Sequence, residues 1–416
     1  MKIILTFTTV FLIQLSVAAS DTTLLLRQIS YSQVFELAKK EKKAVLLYFH
    51  FDGCGACVKM EKTAFVDKNV ASFYNSNFVC LEVNTRKGEG VETNKIYNVQ
   101  LHPTYLFLDE NGNALHKIVG VFSPDEFILQ AQNALNPTKT LTHFKQQYKD
   151  GKRDADFLFD YCYRLRDAYE LDSLVINEYL NTQTTNDLSK EINIKFIYEF
   201  AVHAFKITTP FNSIAFNFML NNRDKFYQYF DKDQVDTRIV WILNASIYEA
   251  IERQNEILFS KSIEVLKSFD TGQTYTFKEM EGRTTGIITS KNLVLASQME
   301  YYEKAGNLDK YNNALKQYLE KIWNDYDALN TFAWNSYERY EDKVKLEKAV
   351  ECVKRSIEIN SNYANNDTYA CLLYKLGKYE KALTQADKAI ELAKQKNLDY
   401  KETADLIEKI KDRQKK

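Results

Sequence analysis

Glycine and proline are scarce in this 416-residue chain, 12 and 4 respectively, about a third of the roughly 12 per cent share of an average protein. That scarcity excludes collagen-like and low-complexity architectures and predicts long helices. An excess of charge of one sign is also lacking: 55 Lys and Arg face 56 Asp and Glu. A protein that wraps nucleic acid needs a basic surplus, so none is expected as a partner. No apolar run of about 18 residues or more follows the first twenty positions, so no membrane span is expected there. What is present, 45% apolar and 27% charged residues, is the balance of a folded globular protein. The length suggests two to three domains at about 150 residues each.

The few breakers are unevenly placed. Pro103, Pro124 and Pro137 and half of the glycines precede residue 138, and only Pro210 lies beyond it. A mixed α/β part is therefore expected up to Pro137 and a helical part after it. At the extreme N-terminus, Lys2 is the one charge before Asp21, and the apolar run Ile3 to Ala19 ends with Val17 and Ala19 at the −3 and −1 positions of a cleavage site. Residues 1–19 read as a secretory signal peptide. Thr6, Thr8, Thr9, Gln14 and Ser16 interrupt the run, which is short for an anchor, and no cysteine follows it for lipid attachment. The expected location is outside the cytoplasm, in the periplasm.

In residues 20–137, Ala44 to Phe49 and Phe78 to Val83 are apolar runs of strand length around a helical segment with Met60, Phe65, Val70 and Phe73, a β-α-β unit. Thr104 to Leu108 and Leu115 to Val119 flank a turn centred on Asn111-Gly112, an antiparallel hairpin. Helices are expected from Tyr31 to Lys42 and after Ser123-Pro124. Residues 138–291 read as helical with faint periodicity, including a pair about Gly151. In residues 292–416, Ala314, Ala349 and Ala382 recur at spacings of 35 and 33, close to the 34-residue period of tetratricopeptide repeats. This stretch resembles that family, which implies a solenoid that binds a partner protein.

His50-Phe-Asp-Gly-Cys54-Gly-Ala-Cys57 follows the first strand and opens a helix. Two residues between the thiols place both sulfurs within one helical turn. A thiol at a helix N-terminus faces unpaired N–H groups that favour thiolate. Cys54, expected to be exposed, is then the nucleophile and Cys57 the resolving thiol. A CxxC can also be half of a zinc site, and a Cys2His2 set from Cys54, Cys57, His50 and His102 is the metal alternative.

His102-Pro103-Thr104 stands ahead of the hairpin, 49 residues after Cys54. Strand, CxxC, helix, strand and this Pro103 resemble the thioredoxin superfamily over residues 27–136, most of all its secreted thioredoxin-like branch. The resemblance implies a cis Pro103, a His102 backbone that receives an extended substrate peptide, and disulfide exchange without cofactor or metal. Thioredoxins proper carry Trp before the first Cys and a buried Asp six residues before it, where this chain has Gly53 and Tyr48. The usual proton acceptor for the resolving thiol is thus missing, and His50 or His102 could tune Cys54.

The expected architecture is an α/β thioredoxin fold followed by an all-α repeat region. The expected function is a thiol-disulfide oxidoreductase acting on protein cysteines or disulfides, with an unknown protein on the repeats. The rival is an interaction protein whose thioredoxin-like part has little turnover. Cys80 and Cys162 read as buried hydrophobes, Cys352 and Cys371 as neighbours across a helix pair turning near Ser361, and Trp241, Trp323 and Trp334 as packing residues. His116, His143 and His203 suggest no role, and Thr85 to Thr93 reads as a solvated loop.

Overall fold

Alternating side chains of two buried strands define the N-terminal domain. The computed structural model describes residues 23–203, 206–278, 284–289 and 292–414; the expected leader, residues 1–19, lies outside them. The chain divides into two compact units, residues 1–229 and 230–416.

The first unit opens with β1 (Leu26–Arg27), α1 (Tyr31–Glu41), β2 (Ala44–His50), α2 (Gly55–Lys62), α3 (Lys68–Asn77) and β3 (Phe78–Asn84). It continues with α4 (Gly90–Tyr97), β4 (Thr104–Leu108), β5 (Ala114–Val119) and α5 (Pro124–Leu135). The sheet order is β1-β3-β2-β4-β5. β1 and β2 run parallel to β3, whereas β4 is antiparallel to β2 and to β5. The short β1 was not foreseen: two residues carry too little pattern to be read.

Period-two alternation sends Leu46 and Tyr48 to one face of the sheet, under Met60, Phe65, Tyr74 and Phe127. Val45, Leu47 and Phe49 face the other way, against Val34 and Ala38 of α1. Both faces of β2 are covered, which is why its sequence is a continuous apolar run. Ser30 and Ser123 close capping boxes on α1 and α5, each satisfying two N–H groups that a helix start leaves free.

The unit then adds α6 (Leu141–Lys149), α7 (Ala155–Asp167), α8 (Ser173–Asn181), α9 (Thr185–Leu188), α10 (Glu191–Ala201), α11 (Ile214–Asn221) and α12 (Arg223–Tyr227). A small hairpin, β6 (Val202–His203) and β7 (Lys206–Ile207), follows α10. Helices α6 and α7 flank Gly151, as the sequence suggests, and they join the sheet through a residue that the sequence left without a role. His116 of β5 is 1% exposed. The Leu141 N–H donates to its Nδ1 at 3.1 Å, so the proton sits on Nε2, which donates to Gln130 Oε1 at 3.1 Å. Gln130 in turn donates to Asp167 at 2.7 Å, and Lys117 pairs with Glu170 at 2.9 Å. Helices α6 and α7 are thus fixed to β5 and α5 by buried and half-buried polar contacts, although the composition changes near Pro137. The side chain of His203 lies outside the described residues.

The second unit contains α13 (Lys232–Arg253), α14 (Glu256–Leu266), the hairpin β8 (Thr274–Lys278) and β9 (Thr284–Thr289), α15 (Leu293–Lys304), α16 (Leu308–Ile322), α17 (Tyr326–Arg339), α18 (Lys343–Ile359), α19 (Tyr363–Lys375), α20 (Tyr379–Gln395) and α21 (Lys401–Gln414). The long region after the α/β domain is helical, interrupted by the two hairpins. α15 packs on α16, α17 on α18 and α19 on α20. Ala314, Ala349 and Ala382 sit on the second helix of each pair and are all buried, where a small side chain lets two helices approach closely. Cys352 packs with Leu319, Ile322 and Leu329. Cys371 packs with Ala382, Ala386 and Leu406 instead, and both thiols are free. Equal height along a helix pair does not make two side chains face each other. Trp323 is 39% exposed, not a core residue; Trp334 packs against the Ala382 cluster.

Candidate functional site

β2 ends at His50, and the chain turns through Phe51, Asp52 and Gly53 before α2 begins at Gly55. Gly53 has φ 86°, a left-handed conformation that glycine adopts freely and a tryptophan would adopt only with strain. The residue found here in thioredoxins proper is therefore excluded by this backbone. Cys54 is the N-cap of α2, and its sulfur accepts from the Cys57 N–H at 3.2 Å. The two sulfurs are joined, with Cα atoms 5.3 Å apart.

The expectation that Cys54 is exposed needs correction. In the disulfide state it is 5% exposed and Cys57 1%, because both belong to the cluster built on Tyr48, Met60 and Phe65. Of the two residues Cys54 is the slightly more exposed. After reduction, the free N–H groups at the start of α2 favour its thiolate.

The loop from Thr85 to Thr93 is no mere solvated connection. Thr85 Oγ1 lies 3.0 Å from His102 Nε2, the Arg86 guanidinium stacks 3.7 Å over the Phe51 ring, and Lys87 pairs with Asp52. Phe51 also meets the His102 ring edge to face at 5.0 Å. The turn before Cys54, the end of β3 and the segment before β4 are thereby tied together. The Lys87 contact, then Asn84, holds the Asp52 carboxyl below its ordinary range. Burial, then the nearby Arg86 and His50, lowers the pKa of His102 and keeps it neutral near pH 7. The bond between His102 and Pro103 is cis, as the resemblance implies. A cavity of about 370 Å³ opens beside these loops, lined in part by His50, Asp52, Glu82 and Lys87.

His50 stacks on Tyr48 with ring centres 5.2 Å apart and turns its Nε2 to Glu82 Oε1 at 2.9 Å. The approach does not have hydrogen-bond geometry, and it is an ion pair only when the imidazole carries a proton. Among the described residues no group of three or more His, Cys, Asp or Glu side chains is gathered to hold a metal. The Cys2His2 alternative is therefore not assembled: the sulfurs are spent on each other and His50 is turned to Glu82.

Sequence reading missed Glu61. It lies four residues after Cys57, on the same face of α2, and its Oε1 accepts from the buried Tyr48 hydroxyl at 2.8 Å. Tyr48, at the strand position where thioredoxins proper carry a buried Asp, thus holds a carboxylate of α2 by its hydroxyl. Burial, then the Glu61 bond, pushes the Tyr48 hydroxyl far above its usual pKa, so it remains a donor. A tyrosine six residues before Cys54 with a glutamate seven after it was a signal available in the sequence. The remaining thiols are poor nucleophiles. Burial pushes Cys80, Cys352 and Cys371 up to about 12 each and Cys162 higher still.

Comparison with known proteins bears on residues 31–134, which match the model of a thioredoxin-like domain. The thiol:disulfide interchange protein DsbD of Yersinia pestis is 31% identical over 106 residues, 25% of this chain and 18% of that protein. The chain thus spans less than a fifth of the length of the curated relatives it matches. A solved protein of Bacteroides thetaiotaomicron, described as a candidate disulphide-isomerase, is 30% identical and aligns over 28% of this chain and 98% of its own, with a TM-score of 0.26. A thioredoxin from Thermus thermophilus is 26% identical over 27% of this chain and 89% of its own, with a TM-score of 0.25. No helix among the described residues is long and apolar enough to cross a membrane. The N-terminal part of the chain is a thioredoxin-like α/β domain with a disulfide-forming cysteine pair at the start of a helix, and a long helical region follows it.

Proposed function

We propose that this protein is an extracytoplasmic thiol-disulfide oxidoreductase that acts on protein cysteines through Cys54 and Cys57, with tetratricopeptide-like repeats that bind a partner or substrate protein. The observation that carries the reading is the joined Cys54–Cys57 pair capping α2 beside His102 and Pro103. The reduced Cys54 thiolate attacks a substrate disulfide, one substrate sulfur leaves as a thiolate and takes a proton, and a mixed disulfide forms. Cys57 loses its proton to the Glu61 carboxylate and attacks the Cys54 sulfur. The second substrate thiol is released, and the two electrons gained by the substrate leave the pair as a disulfide. The same steps in reverse oxidise a substrate dithiol. The backbone at His102 receives the substrate as an added extended strand. His50, held between Tyr48 and Glu82, tunes the potential felt at the site.

Export rests on residues 1–19, and partner binding on the repeated helix pairs with their buried alanines. Dithiol-driven insulin reduction tests the activity, and Cys57→Ser tests the route, because it should accumulate mixed disulfides at Cys54. Absence of both turnover and trapped adducts would leave the rival reading, an interaction protein with a structural thioredoxin-like domain.

A further inference from the structure

One exposed cation stands beside the thiol pair. Arg86 follows the end of β3, and its guanidinium lies 3.7 Å over the Phe51 ring. That ring packs against the cluster containing Cys54 and Cys57, and the Phe51 C=O accepts the Cys54 N–H at 3.1 Å. The same ring meets His102, the residue before Pro103, at 5.0 Å. The backbone beneath Arg86 is held in place. Its N–H donates to Asn84 Oδ1 at 3.0 Å, and the Thr85 N–H donates to the His50 C=O at 2.9 Å. A guanidinium stacked on an aromatic face keeps its N–H edge available for hydrogen bonds.

The carboxylates of this region are engaged elsewhere. Asp52 pairs with Lys87, Glu82 lies against His50 and accepts from Gln28 at 3.3 Å, and Glu89 accepts the Tyr31 N–H at 3.1 Å. All three line the cavity of about 370 Å³, whose lining includes neither Arg86, Phe51 nor His102. Besides burial, the groups that act on His102 are Arg86 and His50, and no carboxylate is among them. The surface formed by Phe51, Arg86 and His102 is therefore aromatic and cationic.

We propose that Arg86 determines substrate specificity by binding the carboxylate of an Asp or Glu within two residues of the substrate cysteine that joins Cys54. A substrate strand laid along the His102 backbone advances about 3.3 Å per residue. Side chains flanking its cysteine thus pass the Phe51 ring and meet the guanidinium, which offers parallel N–H donors to a carboxylate. The inference names the substrate class for the oxidoreductase reading and rests on that reading.

The test uses disulfide-linked homodimers of the blocked peptides Gly-X-Cys-X-Gly, with X as Glu, Gln or Lys, and the reduced full-length protein. Each rate constant is divided by that of the same peptide with dithiothreitol, because a flanking charge alters the cysteine's own pKa and its quality as a leaving group. After this correction the parent should reduce the Glu peptide about three- to fivefold faster than the Gln peptide, the upper range of an exposed ion pair. The Lys peptide should be slowest. Salt near 1 M, where charges are screened within about 3 Å, should bring the three together. Arg86→Gln should abolish the order and Arg86→Glu should invert it. Each comparison is a ratio within one protein, so a general loss of folding or activity does not imitate these results. Lys39→Glu, at an exposed position of α1, should keep the parent's order. A parent that reduces all three peptides alike, or an Arg86→Glu protein that still prefers the Glu peptide, would overturn the proposal and leave the oxidoreductase reading in place. Absence of turnover with every peptide would overturn that reading, and the proposal with it.

Discussion

The Tyr48 hydroxyl donates to Glu61 Oε1 at 2.8 Å, joining the central strand to the helix that opens at the Cys54–Cys57 disulfide. In thioredoxins proper the position of Tyr48 holds an acid. Here the acid arrives from α2, and the tyrosine fixes it. Tyr48 and Glu61 thus form a hydrogen-bonded pair at this position, and under the proposed function Glu61 is the proton acceptor.

Glu61→Gln is expected to slow the Cys57-dependent release of substrate by about a hundredfold, the low end of general-base effects. Tyr48→Phe should slow it less, by about three- to tenfold, since the carboxylate remains but loses a hydrogen bond. The measurement is the decay of a preformed mixed disulfide on Cys54 across pH. Glu61→Gln should shift the profile to higher pH, because hydroxide or bulk base must take the proton; an unshifted profile would remove Glu61 from the chemistry.

The native oxidised protein should give no fast reaction with a thiol reagent near neutral pH. Its four free cysteines, Cys80, Cys162, Cys352 and Cys371, are buried, and burial raises the pKa of each. Unfolding without reductant should release four thiols, and unfolding with reductant two more, from the Cys54–Cys57 disulfide. After mild reduction of the folded protein, Cys54 should be alkylated first. Rapid labelling of Cys352 or Cys371 in the native state would contradict the packing of α16 to α21.

Buried His116 should make stability depend on pH. Burial lowers its pKa to about 4 in the folded protein, against about 6.5 when unfolded. The unfolded chain therefore binds this proton first as pH falls. The contribution, of order 3 kcal/mol at about 1.36 kcal/mol per pKa unit, is present above pH 6.5 and lost progressively toward pH 4. Urea titrations at pH 7 and pH 5 should show the loss, and His116→Gln should be less stable at pH 7 but less sensitive to pH in this window.

A fragment ending near Pro137 is expected to be less stable than one ending at Tyr229. Truncation removes the Leu141 N–H from His116 and Asp167 from Gln130, two buried side chains whose lost partners cost about 1–3 kcal/mol each, and it also removes Glu170 from the half-exposed Lys117. Thermal unfolding of the two fragments provides the comparison. Equal midpoints would mean that the α/β domain does not depend on α6 and α7.

The sequence by itself determined the elements and their sides. The runs at 44–49 and 78–83 and the turn at Asn111-Gly112 have short-range causes, β propensity and turn conformation, and they stand where the pattern puts them. The same holds for Cys54 at the start of α2, because two-residue spacing and a helix start are local. Tertiary structure alone decided what meets what. Glu61 reaches Tyr48, Arg86 covers Phe51 and Leu141 serves His116 across 13, 35 and 25 residues. Such pairings depend on sheet order and side-chain direction, which periodicity does not encode. Cys352 and Cys371 illustrate the limit: arithmetic along two helices gives their height, and only rotation about each helix axis decides which neighbours their sulfurs touch.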